Sequence, residues 1–565
     1  MALSARLPVS RLRQVAGATA SGAAREGSGW TIAALVLAAL AGVPLAAIGW
    51  AAVGGNGGGA SLGALARTVL PTYIANTAAL MLLAGGIAGV TGTACAWLIA
   101  ATRFPGRRVL RWALVLPLAL PAYLAAYVYA DMLDYAGPVQ SALRSATGWG
   151  AGEYWFPDIR SLGGGAMVLG LVLYPYVYLL ARTAFATQSL TQFRAARSLG
   201  AGPARAFWRV ALPAARPAIA GGLALVLMEV LADFGVAEYF AIPTFSTGIF
   251  RSWLAMGDKA AALKLAAVML VFVIALVAWE AHTRRGRSDS RDGLAARRDE
   301  EPLVHLSAPG KMLAGIACAL PVLLGFVLPA GYLASLAMSP VAQGAAGELG
   351  TYVGGSLRLG LAAAALCVAA ALLLAFARAR SASRLTASAI RVATLGYALP
   401  GALLAVGLLA PLGSLDVALT RFARDTLGWE GGLLLTGASA LLVYALSVRF
   451  LTVAYNAVSG GLARIPPSLD AAARSLGARP ARVLARIYAP LLAPSLAGAA
   501  ALVFIDTLRE LPATLILRPF NLETLATRTY RLASDERLVE AAIPALILLG
   551  AGLLPVLVLN RLGKR

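Results

Sequence analysis

Histidine, cysteine, lysine and charge of any kind are scarce in this 565-residue chain, which holds two His, three Cys and, among 48 basic residues, four Lys. With His282 and His305 alone, no zinc motif can be assembled and no His-based triad lies inside the apolar runs. Cys95, Cys318 and Cys367 lie far apart in apolar stretches, where the expected role is a small buried hydrophobe rather than a disulfide or metal ligand. Charged residues make up 13% of the chain and hydrophobic ones 59%, whereas soluble proteins carry about 25% charged residues. Such a chain cannot cover a water-facing surface of its size, and its place is a membrane. The net charge is +22. A nucleic-acid footprint would need a dense Lys/Arg stripe on a folded face; the basic residues here follow another pattern.

That pattern is topological. Windows of about 20 apolar residues, enough to cross a hydrocarbon core of about 30 Å, mark membrane helices. Twelve occur, near residues 30–50, 73–101, 112–132, 166–184, 219–240 and 262–279, then 312–338, 357–377, 393–412, 432–454, 495–516 and 539–559. Residues 1–29 read as a basic tail before an uncleaved first helix, and the charged stretch 284–311 as a linker. With the N-terminus in the cytoplasm, the inside segments hold 34 of the 48 basic residues and everything else holds 14. The positive-inside rule therefore predicts cytoplasmic N- and C-termini. The expected fold is an all-α integral membrane protein.

Self-similarity supplies the most specific feature. RAARSLGAGPARAFWRVALPAARP at 194–217 aligns with AAARSLGARPARVLARIYAPLLAP at 471–494, identical at 13 of 24 positions at an offset of 277. Each copy follows the fourth span of its half, so the chain reads as a tandem duplication of a six-span unit, 30–283 and 312–565. Six is even, so the two units share one orientation and a pseudo-two-fold axis along the membrane normal. Within the repeat, an Ala/Arg/Leu helix runs to Gly200 (Gly477), suited to a left-handed C-cap, and Pro203 (Pro480) opens a new helix. Pro213 and Pro217 (Pro490 and Pro494) end the element. A hairpin lying on anionic headgroups is the plainer alternative, but it requires neither fixed Gly and Pro positions nor two copies.

These residues resemble the EAA loop of the membrane subunits of binding-protein-dependent ABC importers: Ala195-Ala196, Gly200-Ala201, the hydrophobic Phe207, Val210, Leu212-Pro213 and Pro217. The opening Glu of that motif is Arg194 in the first copy and Ala471 in the second, with Asp470 one place early. The resemblance implies coupling loops at 187–217 and 464–494 that dock on two copies of a cytoplasmic ABC ATPase. Ala195, Ala196, Gly200, Pro203, Arg205, Phe207 and Pro213 would form the first, and Ala472, Ala473, Gly477, Pro480, Arg482, Leu484 and Pro490 the second. The stretches 232–253 and 506–548 are further similar to the fused two-domain iron(III) permeases, with thiamine, polyamine and phosphonate permeases as related alternatives. The same resemblance implies a substrate-binding protein on the outer face, a bacterial inner-membrane location, and ATP with magnesium on the partner ATPase.

No phosphate-binding loop is present: Lys259, Lys264, Lys311 and Lys564 precede Ala260, Leu265, Met312 and Arg565, none of them the required Ser or Thr. The chain is expected to be no enzyme and to bind no cofactor or metal of its own. An ion-coupled secondary transporter, also commonly of twelve spans, is the rival from another class; it needs no duplicated Gly/Pro loop.

The offset of 277 also relates Glu229 and Asp233 to Asp506 and Glu510, an i, i+4 acidic pair on one face of the fifth span in each half. An ionised carboxylate at the bilayer centre costs roughly 2.5–3.5 kcal/mol, so these four are expected at the inter-domain axis, lining a path or holding an outer gate. Beyond them, Thr244-x-x-Thr247-x-x-Phe250-Arg251 recurs as Thr524-x-x-Thr527-x-x-Tyr530-Arg531. Thr247, Arg251, Thr527 and Arg531 read either as part of the face that receives a binding protein or as a helix–loop packing motif.

Overall fold

Ala, Leu and Val dominate the apolar runs. A segment in lipid must satisfy its backbone internally, which for such runs means helix. The computed structural model describes residues 9–53, 62–150, 152–186, 190–285, 304–381, 383–428, 431–478 and 480–562, so most of the expected linker lies outside the described residues. Among the described residues, the expected apolar segments fall on helices α1 Val9–Val53, α2 Leu70–Ala101, α3 Ala122–Leu133, α4 Leu162–Ala184, α5 Leu212–Ala232, α6 Lys259–Arg285, α7 Ala308–Ala337, α8 Leu349–Arg380, α9 Gly401–Leu427, α10 Ser439–Leu462, α11 Ala493–Arg509 and α12 Leu538–Leu562. Among the described residues there is no strand, only an isolated bridge between Thr102 and Val304.

Nine helices among the described residues are long and apolar enough to cross a membrane, and two bent pairs raise the number to 11. The first bent pair, Arg107–Ala119 with Ala122–Thr147, turns by 90° and replaces the straight span expected at 112–132. Leu120 and Pro121 sit at the corner, where Pro121 removes a helix hydrogen bond and holds its predecessor extended, ψ 118°. The second, Pro480–Leu491 with Ala493–Arg509, turns by 76°. The last apolar helix, Leu538–Leu562, is 25 residues long. At the other end of the chain the helix of the first span begins at Val9, inside the stretch expected to be a tail.

The helices cluster into two compact units that do not follow the sequence halves. One comprises Met1–Ala46, Leu359–Tyr397 and Val443–Thr507. Here α1 packs on helices of the second half: Trp30 meets Phe376 with ring centroids 4.8 Å apart, and the Thr31 hydroxyl lies 2.9 Å from that of Thr386. The other comprises Ala47–Arg358, Ala398–Leu442 and Leu508–Arg565. There α7, the first helix of the second half, packs on helices of the first. The Tyr129 hydroxyl of α3 donates to the Leu324 carbonyl, and Cys95 of α2 approaches Ala317. Within this unit α2, α4 and α5 are in close contact, because a Cβ at Gly92 or Gly222 would stand 2.8 or 2.7 Å from atoms of α4. The three cysteines are free and buried, as their apolar setting predicts.

Candidate functional site

The duplicated loops fold alike up to their last turn. In the first, helix Leu190–Ser198 ends at Gly200 with φ +87°, and the amide of Ala201 donates to the Ala196 carbonyl at 3.0 Å. In the second, helix Pro467–Ser475 ends at Gly477 with φ +76°, and Ala478 donates to Ala473 at 3.1 Å. Both are glycine C-caps with the long-range bond of the Schellman motif. A four-residue helix then begins on Pro203 or Pro480 and passes into a π turn, Phe207–Ala211 or Leu484–Tyr488. Residues 187–189 and 479, within the two expected loops, lie outside the described residues.

Of the residues that the sequence places in these loops, Ala195, Gly200, Pro203, Arg205, Ala472, Gly477, Arg482 and Pro490 are exposed. Ala196, Phe207, Pro213, Pro480 and Leu484 are half-buried, and Ala473 is buried. Sequence reasoning missed the most prominent apolar pair: Leu199 is 88% exposed and Leu476 is 87% exposed, each immediately before the left-handed glycine. Their identity in both copies is the signal that could have found them. A leucine held out at the same turn twice is suited to burial against a partner protein.

The anchoring of the loops differs. Trp97 of α2 stands at the centre of an aromatic cluster, with ring centroids 5.3 Å from Phe185, 5.2 Å from Phe193 and 4.8 Å from Phe207. Phe193 lies on the loop's first helix and Phe207 on its π turn, so both arms of loop 1 are pinned. Helices α2 and α8 are each 32 residues long at an offset of 279, which makes Phe376 the counterpart of Trp97. Phe376 holds loop 2 through Tyr488, at 5.5 Å.

At the opposite end of the fifth spans lie the acidic residues. The expectation of two carboxylates on one helix face needs correction: α5 ends at Ala232 and α11 at Arg509, so Asp233 and Glu510 sit just past the helices that carry Glu229 and Asp506. Each carboxylate bonds the first turn of the short helix that follows. The Asp233 carboxylate accepts from the Ala237 amide and that of Glu510 from the Ala513 amide, both at 3.1 Å. Arg509 donates to the Leu118 carbonyl at 2.7 Å, at the corner before α3. No group of three or more His, Cys, Asp or Glu side chains among the described residues could hold a metal ion.

Beside Gly235, two residues past Asp233, begins a column of rings that sequence reasoning did not find. Tyr127 of α3 lies between Tyr123 and Tyr239, at ring separations of 5.7 and 4.5 Å. The Arg160 guanidinium lies 5.2 Å from the Tyr239 ring and bridges Asp134 at 3.2 Å and Glu536 at 3.7 Å. Asp134 belongs to the first half and Glu536 to the second, so the bridge closes the column across the two.

The Thr repeats are reciprocal capping boxes. Thr244 and Thr247 exchange backbone and hydroxyl bonds at the start of helix Phe245–Phe250, as Thr524 and Thr527 do at Leu525–Ser534. Their first amides donate to Thr77 and Ser356, again 279 apart. Thr247 and Thr527 are 1% and 2% exposed, so what these elements present to solvent is Arg251 and Arg531, the latter held by Glu523 at 2.7 Å.

Residues 92–286, which contain the first loop, the Glu229/Asp233 pair and the first Thr repeat, match the family of binding-protein-dependent transport system inner membrane components. Along 89% of its length the chain is 25% identical to an Fe(3+)-transport system permease protein of Haemophilus influenzae, covering 92% of that protein. A probable molybdenum ABC transporter permease of Haloferax volcanii is 28% identical over 38% of this chain and 78% of its own length. A putative 2-aminoethylphosphonate permease of Salmonella typhimurium is 31% identical over 24% of this chain and 51% of its own.

Proposed function

We propose that this chain, a membrane permease carrying a domain of the binding-protein-dependent transport family, moves iron(III) inward as the fused transmembrane core of an ABC importer. The observation that carries the reading is the length of its likeness to the Fe(3+)-transport permease, which runs through both halves and both loops. Residues 30–283 and 312–565 form the two permease domains, with both termini in the cytoplasm. One ATPase copy docks on each loop, with Leu199 or Leu476 at the contact, and a binding protein delivers the ion to the face that carries Arg251 and Arg531.

Transport proceeds by alternating access. ATP-driven closure of the ATPase pair draws the loops together, and the π turns link that movement to the fifth spans. At their far ends Glu229, Asp233, Asp506 and Glu510 hold or release the outer gate, and hydrolysis resets the cycle. The bonds from the Ala237 amide to Asp233 and from the Ala513 amide to Glu510 support the gate role, since each ties the end of a fifth span to the short helix beyond it.

Partial likeness to the molybdenum and phosphonate permeases supplies the second reading, an anionic cargo. Uptake into vesicles holding the permease with its ATPase, assayed with ferric iron, molybdate and 2-aminoethylphosphonate, separates the two. ATP-dependent ferric uptake is expected. Uptake driven by an ion gradient without an ATPase contradicts the importer reading, and uptake of an anion alone contradicts the iron reading.

A further inference from the structure

The aromatic column contains an unexplained feature. Tyr127 is 0% exposed and Tyr123 is 6% exposed, and neither hydroxyl has a hydrogen-bond partner among the described residues. Burying a phenol without a partner is unfavourable, and a protein that needed only an apolar plug here would carry Phe or Leu. The third tyrosine of the same helix, Tyr129, follows the usual rule and donates to Leu324. Tyr123 packs against Gly235, two residues past Asp233: a Cβ on that glycine would stand 2.5 Å from the Tyr123 Cβ.

The duplication shows what this position needs structurally. Ala-Leu-Pro at 119–121 recurs at 398–400, the same offset of 279 that relates α2 to α8. After that proline, Tyr123 and Tyr127 correspond to Ala402 and Val406, both buried. Small apolar side chains therefore suffice to pack the helix that follows the corner. The phenols occur in one half only.

We infer that the hydroxyls of Tyr123 and Tyr127 are transient oxygen ligands for the cargo, a hard trivalent cation passing the gate that Asp233 and Glu510 hold. The inference rests on the iron reading proposed above. Each phenol oxygen offers a lone pair, and oxygen donors suit hard cations. Two phenol oxygens make a weak site, as transit needs, because conduction requires a site that the ion can leave.

The test is Tyr123→Phe with Tyr127→Phe, which keeps both rings and removes both oxygens. Tyr174→Phe is the control, since the Tyr174 hydroxyl is also buried and without a partner but lies on α4, outside the column. Permease reconstituted with its ATPase and loaded binding protein is assayed for uptake of ferric iron and of gallium(III), a redox-inert probe of the same charge, and for ATP hydrolysis. The double variant is expected to lose uptake of both ions at least about tenfold, the effect of two lost contacts of hydrogen-bond strength. Stimulated ATP hydrolysis and the Tyr174→Phe control should remain within about twofold. Unchanged uptake in the double variant, or an equal loss in the control, overturns the inference while leaving the iron reading intact. A wild-type permease that moves neither ion refutes the iron reading itself.

Discussion

The two loops share a backbone and differ in how they are held. Both turn on a left-handed glycine, restart on a proline and present a leucine to solvent, yet loop 1 is pinned at both arms by Trp97 whereas loop 2 is held at its π turn by Tyr488. Loop 1 continues without a break into α5, while loop 2 meets α11 across a 76° bend at Leu492. The difference separates what docking needs from what each half supplies for itself. Under the proposed docking, the exposed turn is the same in both copies because each meets one copy of the same partner. The anchor is free to vary because it faces the chain's own helices.

The comparison can be broken by mutation. The largest effect is expected for Phe193→Ala: Phe193 is fully buried against Trp97, and truncation of such a ring costs about 3–5 kcal/mol. Thermal unfolding in detergent should show that loss together with impaired coupling. Tyr488→Ala, at 6% exposure against Phe376, should cost a similar amount but leave loop 1 competent. Next come Gly200→Ala and Gly477→Ala, each about 1–2 kcal/mol from the left-handed backbone. Equal uncoupling of ATP hydrolysis by the two would sharpen the equivalence of the turns, and an effect from one alone would break it. Thr244→Ala and Thr524→Ala should each lower stability by about 1 kcal/mol through loss of a helix cap. The smallest change is expected from Arg160→Gln. Its ion pairs are partly exposed and contribute about 0–1 kcal/mol, so stability should hold while basal ATP hydrolysis without binding protein rises as the outer closure loosens.

What the sequence made legible follows from where a single residue type encodes a backbone conformation. Gly200, Pro203 and their counterparts specify a turn by chemistry, and repetition at 277 residues doubles the signal. Hydropathy windows placed the helices but cannot see direction, so the corner at Leu120-Pro121 read as a straight span. The helix ends before Asp233 and Glu510 escaped notice for a related reason: periodicity marks a face but not where the helix stops. Packing was less visible still. Trp97 is separated by about a hundred residues from the loop it anchors, and nothing in an apolar run reveals that α1 and α7 each pack on the other half. The Tyr123–Tyr127–Tyr239 column and the Arg160 bridge join four separate segments, a proximity that only the fold supplies.

The central claim is that each loop is a docking site for one ATPase, with the exposed leucine at its contact. Native mass spectrometry of the purified complex counts ATPase copies directly. Leu199→Asp or Leu476→Asp alone should leave one ATPase per permease, and the two together should leave none, with the thermal stability of the permease unchanged. Retention of both ATPase copies by the double variant would contradict the account.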